Sequence, residues 1–366
     1  MGNARNMANV MQQRGIKKMT YHNELDGGQR LINKFGSGII YDSIDVKGSI
    51  YATCAACMSI YAEFLSWAND NEDRFVNNPI YASSIIILSC QVTDLAVLND
   101  LRCLEKLMNN YPDKTYYIGG CLARRFDIDL PKNVRRLDNI KIDYKPLNKT
   151  WMLNYEYPFW VDNFSEDSPD KLSDGHLFRN MYPLRIGTGC SGKCKYCTIR
   201  VTRSEHSELD ISWSEFCNFK NPVLIADSPS KELILKWCNA AILTQKQISI
   251  RNIEPHVAIL CSNELLTLSE KRLLKIFHCP IQSDNPATLK DMHREINSTL
   301  SVIDLVYELK KRDTICATNV IIDYKNFENP DMYTLQSVFD YISWNPYWDG
   351  IWDRAKAEIR FKKYLT

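Results

Sequence analysis

The sequence predicts an α/β fold: a small N-terminal parallel α/β domain followed by a partial (β/α)6 barrel. Two observations predict it. Continuous apolar runs alternate with helical patterns, first over residues 48–145 and again from residue 183. Apolar strands that alternate with helices belong to parallel sheets buried on both faces. The second block holds only five or six such units, so the barrel is not a closed eight-fold one. The length of 366 residues suits two or three domains of roughly 150 residues each.

Residues 1–40 are polar, with scattered Asn, Gln and Gly, and read as a tail plus an entry strand. In the N-terminal domain, 41–145, strands are expected at Ser49–Thr53, Tyr81–Ser89 and Lys114–Ile118, with helices at Met58–Asn69 and Asp94–Asn110. Residues 146–182 hold Pro146, Pro158, Pro169 and the polar acidic run Asn163–Asp170, which is linker chemistry. In the barrel, 183–366, strands are expected at Leu184–Gly187, Pro222–Ala226, His256–Cys261, Phe277–Ile281 and Cys316–Ile322, with a weak last strand near Ala357–Phe361. Helices are expected at Lys231–Leu243 and Ser301–Arg312. The segment Trp344–Trp352 is rich in aromatics. It reads as core packing rather than a stacking surface, because large aromatics more often fill cores.

Forty-five Lys and Arg oppose 44 Asp and Glu. A protein that grips phosphate backbones usually carries a basic excess, and none is present globally; only local clusters such as Arg124, Arg125, Arg135 and Arg136 occur. Met1–Thr20 lacks the apolar core of a signal peptide, and no apolar run approaches a membrane span. The expectation is a cytoplasmic protein with no membrane partner. In that reducing compartment, 13 cysteines point to metal ligation or redox chemistry rather than disulfides.

The segment Gly189-Cys190-Ser-Gly-Lys-Cys194-Lys-Tyr196-Cys197 has the spacing C-x3-C-x2-C directly after a predicted strand. Three thiolates so placed can ligate three irons of a 4Fe–4S cubane and leave the fourth iron open. Gly187, Gly189 and Gly192 let the backbone wrap closely. The alternatives are buried core cysteines or zinc, which wants four ligands and would have to recruit His206 or Cys217. The motif is that of radical S-adenosylmethionine (SAM) enzymes. The resemblance implies that SAM occupies the open iron through its amino and carboxylate groups, with Tyr196 packing beside it.

Three more cysteines, Cys57, Cys90 and Cys121, each fall just past a predicted strand of the small domain. Ligand sites in parallel α/β sheets gather at the carboxyl ends of strands, so the three can converge on a second cluster. Taken singly, each could be an ordinary small core residue. Cys54, still in the strand, and Cys103, within a helix, are read as such.

These blocks resemble the radical SAM methylthiotransferases. In that family the first cysteine is followed by two residues, an Asn and an acidic residue; Cys57-Met-Ser-Ile60-Tyr-Ala-Glu63 keeps the acid and has Ile60 for the Asn. Ile85–Cys90 matches the second cysteine, and Gly120-Cys121-Leu-Ala123-Arg-Arg125 the third. Thr198–Ser204, His278-Cys-Pro280-Ile-Gln282-Ser283 and Leu289-Lys-Asp-Met292-His-Arg294 match blocks in the barrel. The departures are Ser204 for a Gly after Arg203, Ala226-Asp227 for a Gly-Gln, Asp284-Asn285 for a Gly-Ser, and Asp323-Tyr-Lys-Asn-Phe-Glu328 for a Gly-Phe-Pro-Gly-Glu-Thr loop.

The resemblance implies two 4Fe–4S clusters, on Cys190/Cys194/Cys197 and Cys57/Cys90/Cys121, and SAM near Tyr196, Arg203, Asp227, Gln282 and Ser283. It implies insertion of sulfur or a methylthio group at an unactivated C–H bond, with electrons from a donor such as flavodoxin or ferredoxin. The sequence stops at Thr366, near the end of the barrel, so the family's C-terminal substrate-binding β-barrel is expected to be absent. That expectation and the balanced charge favour a peptide, protein or small-molecule substrate. A shortened tRNA methylthiotransferase is the alternative, and a non-catalytic cluster-binding protein the third.

Overall fold

The computed structural model describes residues 46–54, 58–60, 62, 64, 71–76, 78–125, 127–137, 177–178, 181–202, 206–209, 211, 213–218 and 221–365. The tail and entry strand expected over 1–40 and nearly all of the expected connector lie outside them. So do Cys57, Arg203 and much of the Met58–Asn69 helix, of which residues 58–60, 62 and 64 are helical.

The first sheet contains β1 (Ile50–Cys54), β2 (Ser84–Ser89), β3 (Thr115–Gly120) and β4 (Val134–Arg136), with α1 (Asp94–Asn110) between β2 and β3. The strands lie in that order and all pairings are parallel. Ile86 and Leu88 pack on one face with Ile50, Ile60, Phe64 and Tyr117. Ile85 and Ile87 pack on the other with Cys103, Leu104, Leu107 and Tyr116. Burial on both faces explains the unbroken apolar run of β2. That strand starts at Ser84 because Pro79–Tyr81 is a 3₁₀ turn, with Pro79 opening it and Asn78 accepting from the Ile80 N–H. Helix α1 starts where Thr93, in extended conformation, accepts from the Ala96 N–H.

The second sheet contains β5 (Tyr182–Arg185), which leads into the short β6 (Gly187–Thr188) paired antiparallel with β7 (Ser207–Glu208). There follow β8 (Pro222–Ile225), α2 (Lys231–Thr244), β9 (Ile248–Arg251), α3 (Pro255–Leu260), α4 (Ser262–Glu270), β10 (Leu274–His278) and α5 (Pro286–Asp291). The chain continues through α6 (Ile296–Lys310), β11 (Ile315–Ile322), α7 (Met332–Val338), β12 (Tyr341–Pro346) and α8 (Arg354–Leu365). The six-strand order is β12-β11-β10-β9-β8-β5. Every pairing is parallel. This is the order expected of a partial (β/α)6 barrel. Leu184, Leu224, Ile250 and Phe277 pack against Leu233, Trp237, Leu265 and Leu268 of the surrounding helices. On the opposite face, Val223, Ile225 and Ile276 are covered by Met58, Ala62 and Phe178.

Two expected strands are helices. His256–Cys261 falls in α3, which Pro255 opens at its first position, and the strand before it is Ile248–Arg251. A short apolar run such as Val257-Ala-Ile-Leu reads equally as strand or buried helix. Ala357–Phe361 lies in α8, and the sixth strand is Tyr341–Pro346.

The aromatic segment is core, but at the joint between the sheets. Trp348 and Trp352 pack with Val97, Leu101, Ile118, Leu122 and Ala123 of the first sheet's layer. Helix α8 lies along α1: Arg354 makes two bonds to the Glu105 carboxylate, Arg102 pairs with Glu358, and Arg360 meets the buried Asp94 at 3.1 Å. No helix among the described residues is long and apolar enough to cross a membrane.

Candidate metal centre

The C-x3-C-x2-C loop leaves the carboxyl end of the β5–β6 segment. Its entry is fixed by a buried ion pair. Arg185, fully buried, donates to Asp227 at 2.8 Å, to Thr188 at 3.0 Å and to the Ser59 carbonyl at 3.0 Å. The same Asp227 oxygen accepts from the Gly189 N–H at 3.0 Å, where Gly189 turns the chain with φ +72°. Asp227 thus holds the loop at its root.

Cys190, Cys194 and Cys197 are all half-buried, open enough to receive a group. Backbone N–H groups two residues on point at two of the sulfurs: Gly192 to Cys190 at 3.2 Å and Ile199 to Cys197 at 3.5 Å. Val92 does the same to Cys90 in the first sheet, at 3.5 Å. N–H donors aimed at sulfur stabilise thiolate and tune iron–sulfur clusters. Gly192 is also needed for space: a Cβ there would lie 3.1 Å from the Cys190 sulfur. The Glu254 carboxylate faces that sulfur at 3.9 Å. Burial first, and then Glu254, pushes the Cys190 thiol up from its ordinary value.

Among the described residues, no three His, Cys, Asp or Glu side chains stand close enough for a single metal ion. His206 is bonded to the Ser228 carbonyl at 2.8 Å and does not complete a zinc site. A cubane spreads its irons and takes more widely spaced thiolates. The half-exposed thiols, the N–H groups on sulfur and the room left by Gly192 fit such a cluster.

Behind the loop, Tyr196 packs against Met292, Ile321 and Tyr324. Arg294 donates to its hydroxyl at 3.3 Å and to the Pro280 carbonyl at 2.7 Å. Burial pushes the Tyr196 phenol well up, so it stays protonated. Gln282 sits at φ +68° and is held by backbone bonds to Asn319 and Ile321. Ser283 is fully buried, and its hydroxyl accepts from the Asn285 N–H at 3.1 Å. The loop after β11 is anchored by Asp291, which bonds Tyr324 at 2.9 Å and Lys325, and meets Lys195 of the cysteine loop at 3.4 Å. Although burial acts to raise it, those bonds and charges hold the Asp291 carboxyl below the usual range.

In the first sheet, Cys90 and Cys121 follow Ser89 and Gly120, which are register partners on adjacent parallel strands. Neighbouring strands run about 4.8 Å apart, so the two cysteines leave the sheet side by side. The Cys121 N–H donates to the Ser89 carbonyl at 3.1 Å, and the Cys90 N–H to the buried Asp100 carboxylate at 2.6 Å. Cys54 ends β1, and Cys103 is buried within α1. Asp100 and Glu254 belong to no motif, and Asp291 stands at an unassigned position within the Leu289–Arg294 block. Only Asp100 left a signal in the sequence, as a carboxylate within the apolar stripe of a helix.

No protein-family model matches the chain. Curated relatives do. A tRNA-2-methylthio-N(6)-dimethylallyladenosine synthase of Ehrlichia ruminantium is 20% identical over 297 residues, covering 69% of this chain and 64% of the relative. A ribosomal protein uS12 methylthiotransferase of Alkaliphilus oremlandii is 24% identical over 314 residues, covering 79% and 70%. A second such enzyme, from Caldicellulosiruptor saccharolyticus, is 24% identical over 295 residues, covering 72% and 65%. The chain thus spans about two thirds of the length of the curated relatives it matches.

Proposed function

We propose that this chain, similar along most of its described length to methylthiotransferases, is a radical SAM enzyme of that type. On this reading it holds one 4Fe–4S cluster on Cys190, Cys194 and Cys197 and a second on Cys57, Cys90 and Cys121. One observation carries the proposal: three half-buried cysteines, two of them with a backbone N–H group on sulfur, leave one parallel sheet, and two more leave the next sheet side by side. When bound, the clusters and SAM supply one-electron chemistry at an unactivated C–H bond and a source of sulfur.

The chain's own residues place and shield. Asp227 and Arg185 hold the root of the cysteine loop. Tyr196, kept neutral and buttressed by Arg294, presents a ring beside the loop with Met292 and Tyr324 behind it. Asp291 ties that loop to the one after β11, so the altered 323–328 sequence still closes on the site.

The balanced net charge, +1, supports a peptide, protein or small-molecule substrate and a cytoplasmic setting with a flavodoxin- or ferredoxin-like donor. A tRNA substrate is the second reading, supported by relatives whose names give tRNA as theirs.

Reduced with dithionite in the presence of SAM, the reconstituted protein should release 5′-deoxyadenosine, and Cys197→Ala should abolish it. Intact clusters in the wild type without SAM cleavage would favour a non-catalytic cluster protein.

A further inference from the structure

Buried polar atoms join the two cysteine loops. Gln91 follows Cys90 and is 2% exposed. Its amide donates to the Thr198 hydroxyl at 2.7 Å and, at 3.4 Å, to that of Thr202; Thr198 follows Cys197. The other side of the Gln91 amide, its carbonyl, accepts from Arg125 at 2.7 Å. Arg125 lies four residues after Cys121 and is fully buried. It makes two bonds to Asp127, at 2.7 and 2.6 Å, and one to the Gly350 carbonyl at 2.9 Å. The Trp348 ring covers its guanidinium at 5.0 Å. Next to it, Arg124 donates to the Thr202 carbonyl.

One hydrogen-bonded chain therefore joins Thr198, the residue after Cys197, to Gln91, the residue after Cys90, and to Arg125, four residues past Cys121. We infer that Gln91 and Arg125 are positioning residues that fix the separation of the two cluster sites, an inference that rests on the two-cluster reading above. Neither side chain bonds a cysteine sulfur. Adhesion alone would be served as well by apolar side chains, since burying an amide and a guanidinium carries a desolvation cost. A directional bond between two satisfied groups instead sets one register between surfaces that could slide. Two cofactors serving the same carbon need that register, because a misplacement of about 1 Å can cost about 100-fold in rate.

The test uses reconstituted holoenzyme with both clusters reduced, read by the magnetic interaction between the two spins in electron paramagnetic resonance. Variants that retain one cluster supply the non-interacting reference. Thr198→Val removes one hydroxyl without changing shape, and Gln91→Leu removes the amide. Both should keep full iron and wild-type SAM cleavage yet lose the defined interaction. Gln91→Glu should retain it, because the carboxylate still accepts from Arg125 and the Thr198 hydroxyl can donate to it. An unchanged interaction in Thr198→Val and Gln91→Leu would overturn the inference. So would equal loss in all three variants, which would mark a packing role without directionality. Failure of the two-cluster reading is seen separately, in a wild type that holds one cluster or none.

Discussion

Gly120 decides where Cys121 can stand. Its φ is +80°, and a Cβ there would lie 2.4 Å from the Ser89 carbonyl oxygen and 3.0 Å from an Ile60 methyl. That oxygen is also the acceptor for the Cys121 N–H. Gly120→Ala therefore meets both a left-handed backbone, about 1–2 kcal/mol, and a clash with main chain that has nowhere to move. The expected outcome is a loss of at least about 2 kcal/mol in denaturant unfolding, with depletion of the second cluster's iron. A variant with wild-type stability and iron would show that this corner does not set the cysteine. Cys90 and Cys121 were legible in the sequence because a strand ends visibly, at a Gly or a Ser after an apolar run. Gln91 and Arg125 were not legible as a pair. Their roles come from contacts between segments more than 30 and more than 100 residues apart, which no local spacing records.

At the scale of elements, the misread pieces were short or mixed in pattern. Helix α3 is six residues, and its apolar stretch carries no periodicity long enough to tell 3.6 from 2. Helix α8 alternates apolar and charged residues over Arg354–Lys362, so it mimics a half-buried strand, yet it is a helix docked on α1. Its far end also clasps the loop after β11. Asp323 accepts from Tyr364 and Lys363 of α8 and from Asn329. The Tyr364 hydrogen bond first, then those of Lys363 and Asn329, lower the Asp323 carboxyl from the ordinary 3.8 to about 2. A depressed folded-state value contributes stability above pH 3.8 that is lost as pH falls toward 2. The difference in Tm between wild type and Asp323→Asn should therefore be constant above about pH 5 and shrink steadily below pH 4. The carboxylate is partly solvated, so the difference should be small and reduced by salt. A difference that grows on acidification would contradict this clasp.

At the scale of the whole molecule, two parallel sheets meet at their carboxyl ends through Gln91–Thr198, the Trp348 cluster and the α1–α8 pairing. Sequence rhythm gave the number of strands in each sheet nearly right, and the cysteine spacing pointed to the chemistry. The joint itself came only with the structure: the aromatic segment with Trp348 reads as core packing, and no sequence pattern shows that the core it fills is the seam between the sheets. The central claim is that the loop of Cys190, Cys194 and Cys197 holds a cluster of its own. The most direct measurement is iron per chain, with Mössbauer spectra, for anaerobically reconstituted wild type and the variant with all three cysteines changed to Ala. The wild type should hold about eight irons and the variant about four, all in one remaining cubane. Full iron in the triple variant would contradict the assignment.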